Sequence, residues 1–152
     1  GISLGGGAEL PGESEAYKAA YGLVRSQQFE AAVDAFRQFL RNYPDGKYAA
    51  NAHYWLGELY LVQNENERAR SQFVQVIDLF GDHPKVPDAL YKLGVTYHRL
   101  GDKHQALEYL NRVRGQYPQH SAAKLAADLF MRGLCAVGCV SSRQATLARS
   151  DI

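Results

Sequence analysis

Five histidines, two cysteines and a few serines and carboxylates carry whatever chemistry this chain could perform. His53, His83, His98, His104 and His120 are scattered, and no H-x-x-E-H or C-x-x-C pattern joins them. Metal sites need clustered donors, so the scattered five suggest no ligand set; His98 and His104 flank a turn and read as exposed surface histidines. Cys135 and Cys139 stand four apart and would share a face on a helix. Two thiols alone make no zinc site, and they read as free or bridged cysteines in a loose tail. Ser71 and Ser121 lack the G-x-S-x-G setting of a hydrolase nucleophile. Gly5-Gly6-Gly7 lacks the Gly-Lys-Ser/Thr that would turn it into a phosphate cradle. Glu65 and Glu67 flank a turn between helices, where Glu67 would favour a helix start through the dipole. These patterns supply no catalytic centre, so no enzyme, metal or cofactor is expected.

Another set of side chains recurs in a way that chemistry of binding could use. Tyr17, Tyr54 and Tyr91 are each 37 residues apart. Ala32, Ala69 and Ala106 keep the same step, as do Phe36, Phe73 and Leu110, Leu23, Tyr60 and Tyr97, and Ala20, Gly57 and Gly94. Five registers sharing one period over three copies mark an internal repeat.

Each copy must be a pair of helices. In the third copy Leu90, Leu93, Tyr97 and Leu100 form one stripe at helical spacing; Ala106, Leu107, Leu110 and Val113 form another. Gly101-Asp102 separates them, and the Asp102 carboxylate can cap the second helix. Tyr117-Pro118 ends it, because proline cannot continue the hydrogen-bond ladder. Helices of about 12–16 residues are expected. Gly57 and Gly94 face Ala69 and Ala106 and let the backbones approach closely, at roughly 0.5–1 kcal/mol each relative to alanine.

L-G-x-x-Y, A-x-x-x-F and a closing proline resemble the tetratricopeptide repeat. Leu56-Gly57-x-x-Tyr60, Ala69-x-x-x-Phe73, Leu93-Gly94-x-x-Tyr97 and Ala106-x-x-x-Leu110 carry the likeness, with Pro44 and Pro118 closing the first and third copies. The first copy departs at Ala19-Ala20-x-x-Leu23, and the period exceeds the usual 34. The resemblance implies an all-α fold: a right-handed superhelix of three helix pairs over about 13–46, 48–83 and 85–118, with a capping helix over 119–131. Residues 1–12 read as a flexible linker or as a remnant of cloning. Residues 132–152 change character, with Gly, Ser, Thr and both cysteines, and read as an atypical tail that vector sequence could supply; such a tail could lie in a neighbour's groove as a mock ligand.

A narrower likeness rests on Ala32, Phe36, Phe39, Leu40, Tyr43 and Pro44, on Ala52-x-Tyr54-Trp55-Leu56-Gly57-Glu58, and on Val86-Pro87-Asp88-Ala89-x-Tyr91-Lys92-Leu93-Gly94. This wording resembles the C-terminal domain of the cell division coordinator CpoB family, also called Tol-Pal system protein YbgF, of Gram-negative bacteria. The resemblance implies a non-enzymatic periplasmic scaffold. Its implied partners are TolA and a class A penicillin-binding protein, and it would link the Tol machinery to septal peptidoglycan synthesis. Trimerisation would belong to a coiled coil outside this chain, leaving the domain itself monomeric. A repeat lipoprotein of outer-membrane assembly is the alternative reading.

Bulk composition agrees with a binding domain. Lys and Arg total 17, Asp and Glu 16, interleaved along 152 residues; this balance argues against nucleic acid or an anionic membrane as partner. No run approaches the roughly 18 apolar residues of a membrane helix, so no membrane insertion is expected. The chain before Cys135 is free of thiols, which fits an oxidising compartment without requiring one. The first helix of each pair should line the concave side of the stack. There the expected groove comprises Tyr17, Tyr21, Asn51, Tyr54, Glu58, Asp88, Tyr91, Val95, His98 and Arg99. Packing of the tyrosines between neighbouring repeats is the other reading. A clamp of Lys, Arg and Asn for a C-terminal carboxylate is absent, Lys92 being the one good cation.

Overall fold

In the computed structural model, which describes residues 8–134, the helices follow the period closely. They run α1 (Glu13–Arg25), α2 (Phe29–Asn42), α3 (Ala49–Val62), α4 (Asn66–Leu79), α5 (Val86–Arg99), α6 (Lys103–Gln116) and α7 (Ser121–Leu129), then a short π-helical turn over Phe130–Leu134. The second helices α2, α4 and α6 begin 37 residues apart. Cys135, Cys139, Gly5-Gly6-Gly7 and nearly all of the expected tail lie outside the described residues.

The core repeats with the sequence. Phe36, Phe73 and Leu110 are fully buried, and so are Ala32, Ala69 and Ala106. Burying each of the three large side chains contributes about 1.5–3 kcal/mol. At Gly57 a Cβ would stand 2.5 Å from Phe73 Cε1; at Gly94 it would stand 2.6 Å from Leu110 Cγ and 3.4 Å from the Ala106 carbonyl. The glycines therefore make room chiefly for the large residue of the facing helix rather than for its alanine. As the middle first helix, α3 buries side chains nearly all round, including Ala52, Leu56, Leu59 and Leu61, as a helix packed on several sides must.

Each hairpin turns through one left-handed residue at one register: Gln27 and Asn64 at φ 59°, Gly101 at φ 81°. One residue later the amides of Gln28, Glu65 and Asp102 reach back to the carbonyls of Leu23, Tyr60 and Tyr97 at 2.8–2.9 Å, satisfying helix ends that would otherwise lack partners. Asp102 Oδ1 accepts from the Gln105 amide at 3.1 Å, capping α6 as its type and place predict. Helices α2 and α6 stop just before Tyr43-Pro44 and Tyr117-Pro118.

The joints between pairs are also periodic. His83 Nδ1 accepts from the Lys85 amide and His120 Nδ1 from the Ala122 amide, both at 3.0 Å. Both histidines are half-buried; His120 is the N-cap of α7, whereas His83 lies two residues before Lys85, the N-cap of α5, and holds that residue's amide. The first joint has Gly46 at that register, and the Tyr48 amide instead donates to Glu13 Oε1 at 2.8 Å. Glu13 is fully buried; its other oxygen accepts from the Leu10 amide at 2.9 Å. A Cβ on Gly46 would come within 2.5 Å of the Glu13 carboxyl carbon.

Candidate functional site

First helices approach one another along one face, where the sequence places its tyrosines. At the N-terminal end the Tyr17 ring stacks on Tyr48 at 4.8 Å and meets Phe36 and Phe39 edge-on. The Trp55 indole N–H donates to the Tyr17 hydroxyl at 3.1 Å. Burial raises the Tyr17 pKa; hydrogen bonds from Trp55 and Asn51 partly oppose this, while Tyr21 adds to it. Tyr21 lies parallel to Tyr17 at 6.3 Å and 5.2 Å from the Trp55 ring. Tyr17, Tyr21, Asn51 and Trp55 thus form one aromatic group, with Tyr17 half-buried between the first and second pairs and its neighbours half-exposed.

A second group gathers between α3 and α5. Lys92 Nζ stands 3.0 Å from Glu58 Oε1, and Lys85 Nζ 3.6 Å from Asp88 Oδ2. The Lys85 ammonium also lies 4.7 Å from the centre of the Tyr54 ring, within cation–π range. Tyr91 is half-exposed beside Lys92.

The expected openness of Tyr54 is corrected here. Only 9% of it is exposed, because Lys85, Trp55 and Phe73 pack around its ring. Burial raises its pKa strongly, and the charges of Glu58 and Asp88 reinforce the shift. Tyr54 belongs to the seam between pairs. Lys92 is not the one cation of this face either, since Lys85 joins it, and both are committed to carboxylates. Val95 is half-exposed and His98 exposed farther along α5. The Arg99 guanidinium donates to the Leu61 carbonyl at 3.0 Å, where a cation favours the C-terminal end of α3. Sequence reasoning left Tyr48 and Lys85 out of the site. Both lie at one register in the joints, just before a first helix, where no apolar stripe points to them.

Two models described as tetratricopeptide repeat match residues 16–46 and 48–119, together most of the described chain. The chain belongs to the tetratricopeptide repeat family. A repeat protein of this family from Parabacteroides merdae superposes with a TM-score of 0.66 at 19% identity, covering 79% of this chain and 46% of that one. Among curated relatives, the cell division coordinator CpoB of Pseudomonas putida is 43% identical over 63 residues, 39% of this chain and 24% of the relative. CpoB of Escherichia coli K12 is 53% identical over 45 residues, 28% of this chain and 17% of the relative. The matched stretches therefore span a quarter or less of those relatives. No helix among the described residues is long and apolar enough to cross a membrane, and none of their His, Cys, Asp and Glu side chains group in threes as a metal would require.

Proposed function

We propose that this tetratricopeptide repeat domain is a non-catalytic interaction module of bacterial cell division. It works in the Gram-negative periplasm with the Tol-Pal system and helps to coordinate outer-membrane constriction with septal peptidoglycan synthesis. The observation that carries this reading is the 43% identity to a CpoB protein over 63 residues of the repeats. The geometry supports a binding role. The first-helix face offers half-exposed Tyr21, Trp55 and Tyr91 beside Glu58–Lys92 and Asp88–Lys85 pairs, and tyrosine buries area on binding while its hydroxyl stays satisfied.

The reading names TolA and a class A penicillin-binding protein as partners. Titration of each purified partner against the domain and its Tyr21→Ala/Tyr91→Ala variant tests it. The expected result is binding weakened about tenfold or more by the double substitution, measured at a temperature where circular dichroism shows both proteins folded. Equal binding by both proteins would remove the first-helix face from the reading; no binding of either partner would remove the division role.

A further inference from the structure

Away from the tyrosine face, α2 and α4 part around a cleft floored by α3. One cavity of about 300 Å³ is lined by Arg37, Tyr60, Arg68, Ser71 and Gln72. A neighbouring cavity of about 290 Å³ shares Arg37, Tyr60 and Gln72 and adds Leu40, Arg41, His53 and Leu56. Three guanidinium groups line these two spaces, and no carboxylate does. Acidic side chains enter in the adjoining spaces, Glu30, Asp34 and Glu65 on one side and Glu65 and Glu67 beyond Arg68 on the other.

The three arginines are not equally committed. Arg68 is paired with Glu65 at 2.9 Å and stands 5.8 Å over the Tyr60 ring. Arg41 donates to the Gln38 side chain. Arg37 makes no ion pair among the described residues, although it borders all three spaces. The floor beneath it is apolar: Leu56 is 1% and Tyr60 6% exposed. The planar fork of Arg37 matches a carboxylate in two-point geometry.

We infer that the α2–α4 cleft is a second binding site, which takes a glutamate or aspartate of an acidic peptide segment on Arg37 and an adjacent aliphatic side chain on half-buried Leu40. Half-buried Leu40 at the edge of the cleft favours such a mixed segment over a bare anion, which would leave it without a partner. This site is separate from the first-helix face and does not rest on the division reading.

The test follows the amide resonances of the isotope-labelled chain during titration with a capped peptide alternating glutamate and leucine. A glutamine–leucine peptide, inorganic phosphate and a single-stranded oligonucleotide run alongside. The glutamate peptide is expected to shift Arg37, Tyr60 and Gln72 and to bind more weakly as salt rises. Arg37→Glu should weaken it about tenfold or more, equivalent to ~1.4 kcal/mol, and Arg37→Gln by less. Because Arg37 is exposed and unpaired, both variants should melt as the parent does. The Tyr21→Ala/Tyr91→Ala variant should bind this peptide normally, so the two sites succeed or fail separately. Unchanged affinity in Arg37→Glu, shifts confined to α1 and α5, equal binding of the glutamine peptide, or stronger binding of phosphate or oligonucleotide would each overturn the assignment.

Discussion

The carboxylate of Glu13 fills the space beside Gly46 that imidazoles occupy in the later joints. Glu13 Oε1 takes the Tyr48 amide at 2.8 Å, whereas His83 and His120 take the corresponding amides of Lys85 and Ala122 at 3.0 Å. One backbone donor at one register is thus satisfied twice from two residues away and once from α1. Gly46 lacks a side chain because the Glu13 carboxylate already stands there.

Removing that carboxylate should be costly. Glu13→Ala leaves the Tyr48 and Leu10 amides without their acceptor, a loss of about 1–3 kcal/mol. Gly46→Ala should also destabilise by crowding the same carboxylate. In the double variant the two losses should sum to more than the measured loss, because the crowded group is gone. Urea denaturation of the four proteins measures the coupling, and strict additivity would disprove it.

The left-handed turn residue offers a stabilising change. Gln27 sits at φ 59° where the third pair has Gly101, and this conformation costs a residue with a Cβ roughly 1–2 kcal/mol. Gln27→Gly should gain about 0.5–1 kcal/mol after the added freedom of the unfolded chain is deducted. Gly101→Ala should lose a comparable amount. Thermal midpoints moving the other way would refute the reading.

Trp55 is the single tryptophan of the chain, and its indole N–H is held by Tyr17. Tyr17→Phe keeps the ring stack and deletes only the acceptor, which should cost about 0.5–1.5 kcal/mol. Tryptophan fluorescence should change with it, while circular dichroism stays constant. An emission spectrum identical to the parent's would show that the bond is not formed.

Acid should weaken the fold through two histidines. Burial lowers the His53 pKa, with the Gln72 hydrogen bond opposing; burial and then the Lys85 charge lower that of His83. Below the ordinary histidine value of 6.5 the unfolded chain takes up protons that the folded chain still refuses. Their contribution is therefore complete above pH 6.5 and is lost as pH falls through the folded values. Urea midpoints should fall between about pH 7.5 and about pH 5.5, and less steeply in His53→Gln/His83→Asn. Parallel profiles for parent and variant would contradict the assignment.

The repeat and its chemistry of breaks were legible in the residues themselves. A 37-residue period in alanine, glycine and large apolar positions leaves little choice but stacked helix pairs, because each pair exposes an apolar stripe that only a neighbour can cover. The Asp102 cap and the proline-marked ends are local, depending on residues a few positions away, and local physics predicts them.

Equal register did not mean equal surroundings. Tyr17, Tyr54 and Tyr91 share one position in the repeat, yet Tyr54 is sealed while the outer two remain half-buried, because the middle pair has a neighbour on each side and Lys85 reaches over its ring. Glu13 stands in the first turn of α1, where nothing nearby in the sequence marks it as special. Only the approach of a joint 35 positions later made it a buried acceptor. The sequence alone determined the helices, their pairing and the face on which the tyrosines lie, since these follow from spacing along one chain. Tertiary structure decided which rings stay open and which polar groups are buried, since burial depends on segments distant in sequence that meet only when the pairs stack.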